Sequence, residues 1–177
     1  MNRTDPYQRL IFRAPQLLLP DGTALPATYG RGGLAPDKRE GDLKTPVGLF
    51  PMRCCYYRPD RMEAPLTGLP VVALSSSDGW CDDPADARYN QHVTLPYSGR
   101  HETLWRDDAI YDLIIPLGYN DNPVTPGKGS AIFLHLMRDD GVGTEGCIAL
   151  QRADLLALLP HLGTGTQLEI QPQAPRE

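Results

Sequence analysis

The sequence predicts a mainly β fold with one helix near the C-terminus, and three observations carry that expectation. Proline and glycine take close to one residue in five, 18 and 17 of 177, without a G-X-Y period or a low-complexity tract; that load reads as many tight turns between short strands. Apolar runs are short and are cut by Gly, Pro and Asp from one end to the other. Only one segment repeats its apolar residues at helical spacing. With 41% hydrophobic and 22% charged residues, a chain of this length suits one globular domain over residues 1–177 with a core of its own.

Taken in order, Leu10 to Ala14, Leu17 to Leu19 and Leu25 to Tyr29 read as an N-terminal meander, with Gly22 supplying a turn after Pro20-Asp21. Gly30 to Pro46 is polar and glycine-rich and is expected to be loop. Gly48 to Tyr57 and Leu69 to Leu74 read as strands. Residues 75–88, SSSDGWCDDPADAR, follow neither period and are expected to be irregular. Strand-like runs return at Ala109 to Gly118, Ser130 to Met137 and Gly146 to Leu150. After Gln151, Leu155, Leu156, Leu158, Leu159 and Leu162 form a helical stripe, which Pro160 should shorten or bend and Gly163 should end. Gln167 to Gln171 closes the chain as a last strand.

Charge and cysteine usage exclude several classes. The balance is acidic, 22 Asp plus Glu against 17 Lys plus Arg, the wrong sign for a protein that lives on nucleic acid or anionic membranes. No run approaches the roughly 18 apolar residues of a membrane span, so no membrane insertion is expected. Leu10-Ile11-Phe12 is cut by Arg13, so no secretory core is seen. With Met1 as the start a cytoplasmic protein is expected, and a periplasmic one if an export segment has been trimmed. Cys54, Cys55, Cys81 and Cys147 lack metal-ligand spacing, and free thiols without a metal or other cofactor are expected. A monomer is the default.

Chemistry concentrates in one place. Ala131-Ile132-Phe133-Leu134-His135-Leu136-Met137 is apolar on both faces, as in a central buried strand, yet it carries a histidine. A glycine-bearing loop follows, and a second strand opens with Gly146-Cys147. If the two strands form a hairpin centred on Gly141, His135 and Cys147 lie directly opposite, with Cβ atoms ~5 Å apart on one face. A strand histidine or a strand cysteine alone is more often packing. Together around this loop they make a nucleophile–base pair, because the imidazole can take the proton of a thiol that is mostly neutral at pH 7. Gly146 lets a substrate approach the backbone, and the N–H groups of Gly146 and Cys147 are candidate oxyanion donors.

The stretch IFLHLMRDDGVGTEGCIAL resembles the catalytic motif of the YkuD-type L,D-transpeptidase family, a histidine followed by Ser/Thr-x-Gly-Cys. Lys44-Thr45-Pro46-Val47-Gly48-Leu49-Phe50 is similar to the family's K-T-P-x-G-x-F segment, and the resemblance runs from about Tyr29 to Ile170. It implies a YkuD-like mixed-sheet β sandwich, Cys147 as nucleophile, His135 as base, and the Leu136 carbonyl as the group that orients the imidazole. Glu145 stands where the family usually has a second histidine, Ala149 where many members carry Arg or Asn, and the loop from His135 to Thr144 is short. Gly30-Arg31-Gly32-Gly33, the GWCDDPAD loop and GSAIFLH resemble the short cytoplasmic branch associated with L,D-carboxypeptidase activity.

That resemblance implies removal of the terminal D-Ala from diaminopimelate-containing tetrapeptide stems derived from peptidoglycan, as in muropeptide recycling. The alternatives are a periplasmic transpeptidase that forms cross-links and an inactive muropeptide-binding module with an inert buried Cys147. Glu145 and Thr144 beside the motif, and Arg31 and Arg138 as carboxylate forks, are substrate-binding candidates, although most arginines are surface charge. Tyr119 and Asn120 fit a turn before Pro123 and, as the second reading of that segment, are kept as substrate-binding candidates. Lys44 and Arg88 are weaker carboxylate candidates. Cys81 and Trp80 read as structural, and Asp78, Asp82, Asp83 and Asp86 as a solvated loop. His92, His101 and His161 lack a partner pattern and are expected at the surface.

Overall fold

A computed structural model describes residues 5–173. The chain runs through β1 (Arg9–Arg13), β2 (Gln16–Leu18), β3 (Ala24–Thr28), β4 (Leu34–Ala35), β5 (Thr45–Pro46), β6 (Gly48–Pro51), β7 (Cys55–Tyr57) and β8 (Val71–Ala73). It continues through β9 (Asp78–Cys81), β10 (His92–Thr94), β11 (His101–Thr103), β12 (Leu113–Pro116), β13 (Phe133–Leu136) and β14 (Ile148–Leu150), and ends with helix α1 (Arg152–Leu158), a 3-10 turn (Leu159–His161) and β15 (Gln167–Ile170). The predicted meander, the central strands, the single α-helix and the closing strand are all present. The fold is mainly β.

Ten strands form one mixed sheet in the order β6-β15-β1-β2-β3-β14-β13-β12-β7-β8. The run Gly48 to Tyr57 is two strands, β6 and β7, because the chain leaves the β15 edge there and crosses to β12. A bridge between Met52 and Leu117 and the Arg53 N–H to Pro116 carbonyl bond at 3.0 Å curl the sheet at this crossing. The curl encloses one core, built from Phe12, Leu17, Leu134, Ile148, Leu168 and their neighbours, with Leu155, Leu158, Leu159 and Leu162 of the helical segment packed on it. Pro160 falls in the 3-10 turn, so the α-helix is short. Leu156 of the expected stripe faces solvent.

Side chains alternate across a strand, and on β13 that alternation divides two environments. Leu134 and Leu136 enter the main core, whereas Phe133 joins a smaller cluster with Leu104, Tyr111, Ile114 and Cys147 on the other face. That second face is covered by a three-stranded sheet in the order β10-β9-β11. Here the expected irregularity of residues 75–88 is overturned for four residues and holds for the rest. Asp78–Cys81 is the central strand of the small sheet, pairing Trp80 with both His92 and Glu102. Its partners lie well along the chain, so a local reading of an Asp- and Ser-rich segment misses it. Trp80 meets Phe133 edge-on at 5.1 Å and donates through Nε1 to Asn90 Oδ1 at 3.0 Å.

The three histidines expected at the surface also have partners. His92 lies 2.8 Å from Asp78 and stacks near Tyr56. His101 contacts the Gly99 carbonyl, and His161 stacks on Tyr7. The aspartates of the 78–86 segment hold turns: Asp78 accepts the Ser75 N–H, Asp83 the Ala85 N–H and Asp86 the Arg88 N–H, while Asp82 pairs with Arg100. All four cysteines are free thiols.

Candidate active site

The expected hairpin between the His135 and Cys147 strands does not form. β13 and β14 run parallel, with Leu134 opposite Ile148, His135 opposite Ala149 and Leu136 opposite Leu150. A parallel pair needs a crossover of about a dozen residues, and residues 137–147 supply it without a helix. The chain turns at Arg138–Gly141, where Gly141 has φ +66°. It then runs past β3, where the Thr144 N–H bonds the Tyr29 carbonyl and the Arg31 N–H bonds the Thr144 carbonyl, each at 2.9 Å. Cys147 is therefore level with Phe133, whose N–H points at Sγ from 3.3 Å. His135 is a diagonal neighbour on the same face, and Thr28, opposite Ala149 on β3, extends that row.

His135 is buried, and its Nδ1 is 2.8 Å from the Leu136 carbonyl. A carbonyl only accepts, so Nδ1 carries the proton and Nε2 of the neutral ring is an acceptor. Burial pushes the imidazole down to about 4, against the pull of the Leu136 carbonyl and helped by the nearby Arg106 charge. Tyr111 presents its edge to the ring at 5.3 Å. The Cys147 thiol is also buried and donates to the Ala131 carbonyl at 3.1 Å. Burial, then the Glu102 carboxylate, push it up to about 12, while the Phe133 N–H and Lys38 work in the opposite direction. The resting pair is neutral thiol and neutral imidazole.

The backbone around the thiol is held tightly. Gly146 has φ +147°, and a Cβ there would stand 2.9 Å from the Lys44 carbonyl oxygen, so glycine is required on both counts. Thr45 Oγ1 donates to the Gly146 carbonyl at 2.8 Å and accepts the Gly30 N–H at 2.9 Å. The two sequence motifs thus meet: the K-T-P segment braces the residue before Cys147. Thr144 Oγ1 donates to the Cys147 carbonyl at 2.5 Å and accepts the Gly146 N–H at 3.1 Å. That N–H, expected as an oxyanion donor, is already committed. Ala131, whose carbonyl meets the thiol, has φ +52°, held by Asn90 Oδ1 on its N–H at 3.0 Å; such strain persists where the surroundings over-determine it.

Cys147, His135, Thr144 and Ala131 line a cleft of about 580 Å³, with Gly146 and Thr45 behind its wall. It brings together His135, Cys147, Thr144, Glu145, Arg31 and Arg138, all expected from the sequence. Arg31 and Glu145 pair at 2.9 Å on the rim, and Glu145 is 79% exposed. Arg138 pairs with Asp140 at 3.1 Å. Tyr119 and Asn120 lie outside the lining. Asn120 bonds the Thr125 and Gly129 carbonyls, and both residues offer their own carbonyls to the Asn90 amide; they support Ala131 through Asn90. Arg88 and Lys44 are also absent from the lining, and Arg88 bonds the His92 carbonyl.

Several cleft residues escape a sequence reading, among them Lys38, Glu40, Glu102, Arg106 and Tyr111. Glu102 accepts the Tyr111 hydroxyl at 2.5 Å, and burial raises its carboxyl above the ordinary range. Arg106 pairs with Asp108 at 2.7 Å. Lys38 and Glu40 sit in a charge run that reads as solvated loop, and nothing in the sequence distinguishes them. Among the described residues no three His, Cys, Asp or Glu side chains converge to hold a metal, and no helix is long and apolar enough to cross a membrane.

A curled β sheet with a thiol, an anchored imidazole and a glycine-braced backbone in one cleft defines a strand-borne cysteine–histidine site. Residues 8–170 match the YkuD family, described as the L,D-transpeptidase catalytic domain, and the chain belongs to that family. The match begins ahead of the Tyr29 boundary expected from the motifs and takes in β1 to β3. No curated protein matches the chain. Among solved structures it is similar to L,D-transpeptidase 1 of Mycobacterium tuberculosis, at 12% identity and a TM-score of 0.43, over 92% of this chain and 58% of that one. This chain thus spans little more than half the length of that protein.

Proposed function

We propose that the protein is a cysteine-dependent L,D-carboxypeptidase that removes the terminal D-Ala from diaminopimelate-containing tetrapeptide stems of peptidoglycan. The observation that carries this reading is the His135 ring, pinned through Nδ1 so that Nε2 is an acceptor in the cleft it shares with Cys147. With the thiol near 12 and the imidazole near 4, the proton stays on sulfur until a carbonyl is in place. Attack by Sγ then transfers that proton to Nε2 while charge moves onto the carbonyl oxygen. The imidazolium protonates the departing D-Ala amine and the thioester forms. His135 next takes a proton from water, which attacks the thioester and returns Cys147 as the thiol.

One feature of the rim suits a diaminopimelate stem. Glu145 replaces the histidine usual before Gly146, and its rim pair with Arg31 offers both charges to the zwitterionic end of diaminopimelate. A binding-only module shares one observation, the neutral buried thiol. Incubation with purified disaccharide-tetrapeptide, read by mass, separates the three. Disaccharide-tripeptide and free D-Ala are expected, with at least a 1,000-fold loss in Cys147→Ala. Cross-linked dimer would make the protein a transpeptidase, and neither product would leave the binding module.

A further inference from the structure

Lys38 belongs to a run of charged residues, yet its side chain is 3% exposed. A lysine is almost never buried to that degree unless it is paired. Its stem runs along Gly129, where a Cβ would fall 2.9 Å from Lys38 Cε and 3.2 Å from Cδ. Its Nζ ends beside Gly146, 3.4 Å from where a Cβ on that residue would stand. Two glycines at positive φ open the passage for this one side chain. Nζ donates to Asp42 Oδ1 at 2.7 Å and to the Arg39 carbonyl at 3.3 Å, and an ammonium has a third proton to give. Burial works against the Asp42 charge, but the bonds from Lys38 and from the Arg39 and Lys44 N–H groups prevail and lower its pKa. Asp42 is held as the carboxylate against Nζ.

A counter-ion for Asp42 could sit at the surface. This one is led inward to the residue before Cys147 and lines the same cleft. Meanwhile, of the two N–H groups expected as oxyanion donors, that of Gly146 is occupied by Thr144 Oγ1, which leaves the Cys147 N–H to share the role. We propose that the Lys38 ammonium stabilises the oxyanion formed when Cys147 attacks an acyl carbonyl. The inference rests on the acyl-enzyme reading of Cys147 given above. Attack forms the C–S bond and moves the C=O π pair onto oxygen, beside Nζ. Collapse restores C=O, expels the leaving group and leaves Lys38 with its proton throughout. The Lys38 and Cys147 side chains are both buried, and there such a fixed charge is worth far more than in solvent.

The test compares two reactions of the same thiol. Acylation by p-nitrophenyl acetate passes through an oxyanion, and alkylation by iodoacetamide does not. Each is located on Cys147 by mass in the intact protein. Lys38→Met and Lys38→Gln are expected to slow acylation by about 100-fold or more and alkylation by less than tenfold, with an unchanged circular dichroism spectrum. Equal losses in both reactions, or loss in neither, would overturn the proposal. So would failure of both variants to fold, which would assign Lys38 to the structure alone. Tetrapeptide turnover by the wild-type protein is read separately. Its absence would count against the proposed reaction without touching the acylation comparison.

Discussion

His135 carries a proton less readily in this fold than in the unfolded chain, and that difference has a measurable consequence. Its pKa falls from 6.5 to about 4, chiefly through burial. Between those values the unfolded chain binds a proton that the native state refuses, so stability is complete above pH 6.5 and declines as pH falls toward 4. The full difference corresponds to about 3 kcal/mol. Urea unfolding at pH 7.5 and pH 4.5 should therefore show the wild-type protein losing about 2 kcal/mol more than His135→Gln. Other carboxylates, including the raised Glu102, titrate in both proteins and cancel. An equal loss in both would mean that the ring is hydrated in the native state.

At the scale of elements, the site depends on a short strand that stands outside the cleft lining. Thr45 in β5 is fully buried and joins the Gly30 N–H to the Gly146 carbonyl through a single hydroxyl. Thr45→Val keeps the shape and leaves both backbone groups without that partner, a cost of about 2–3 kcal/mol. It also frees Gly146 to move against the Lys44 carbonyl. A lower urea midpoint with an unchanged slope is expected, together with slower acylation of Cys147. Full stability in this variant would mean that the two groups find other partners. The parallel crossover explains why this brace is needed: residues 137–147 re-enter the sheet beside Cys147 without a helix to rigidify them, and Thr45 and Thr144 fix the re-entry point.

Across the whole molecule, the helix is tied to the sheet by one buried carboxylate. Asp112, 5% exposed, pairs with Arg61 before β8 and with Arg152 at the start of α1, each at 2.8 Å. Both arginines are partly exposed and can rehydrate, so Asp112→Ala should cost about 2–3 kcal/mol rather than the larger price of an uncompensated buried charge. For a chain of this length that lowers the thermal midpoint by about 4–10 °C. High salt should change the wild-type midpoint little, since a buried pair is poorly screened. A midpoint that drops with salt as far as with the mutation would assign the stabilisation to surface charge instead.

The strand runs at both ends, the helical stripe from Leu155 to Leu162 and the two motifs around Thr45 and Cys147 were all determined by the sequence, because each is set by side-chain period, turn residues or contiguous spacing. His135 and Cys147 could even be placed on one face with the wrong strand direction. A hairpin about residue 141 and a parallel register offset by 14 both match odd positions with odd ones, and the side-chain period is two. Direction itself was decided by tertiary structure, through the bonds of Thr144 to Tyr29 and Arg31. The strand Asp78–Cys81 depends on partners beyond residue 90, and burial of Lys38 depends on Gly129 and Gly146 arriving from distant parts of the chain. Such contacts leave no local period, so only the folded chain discloses them.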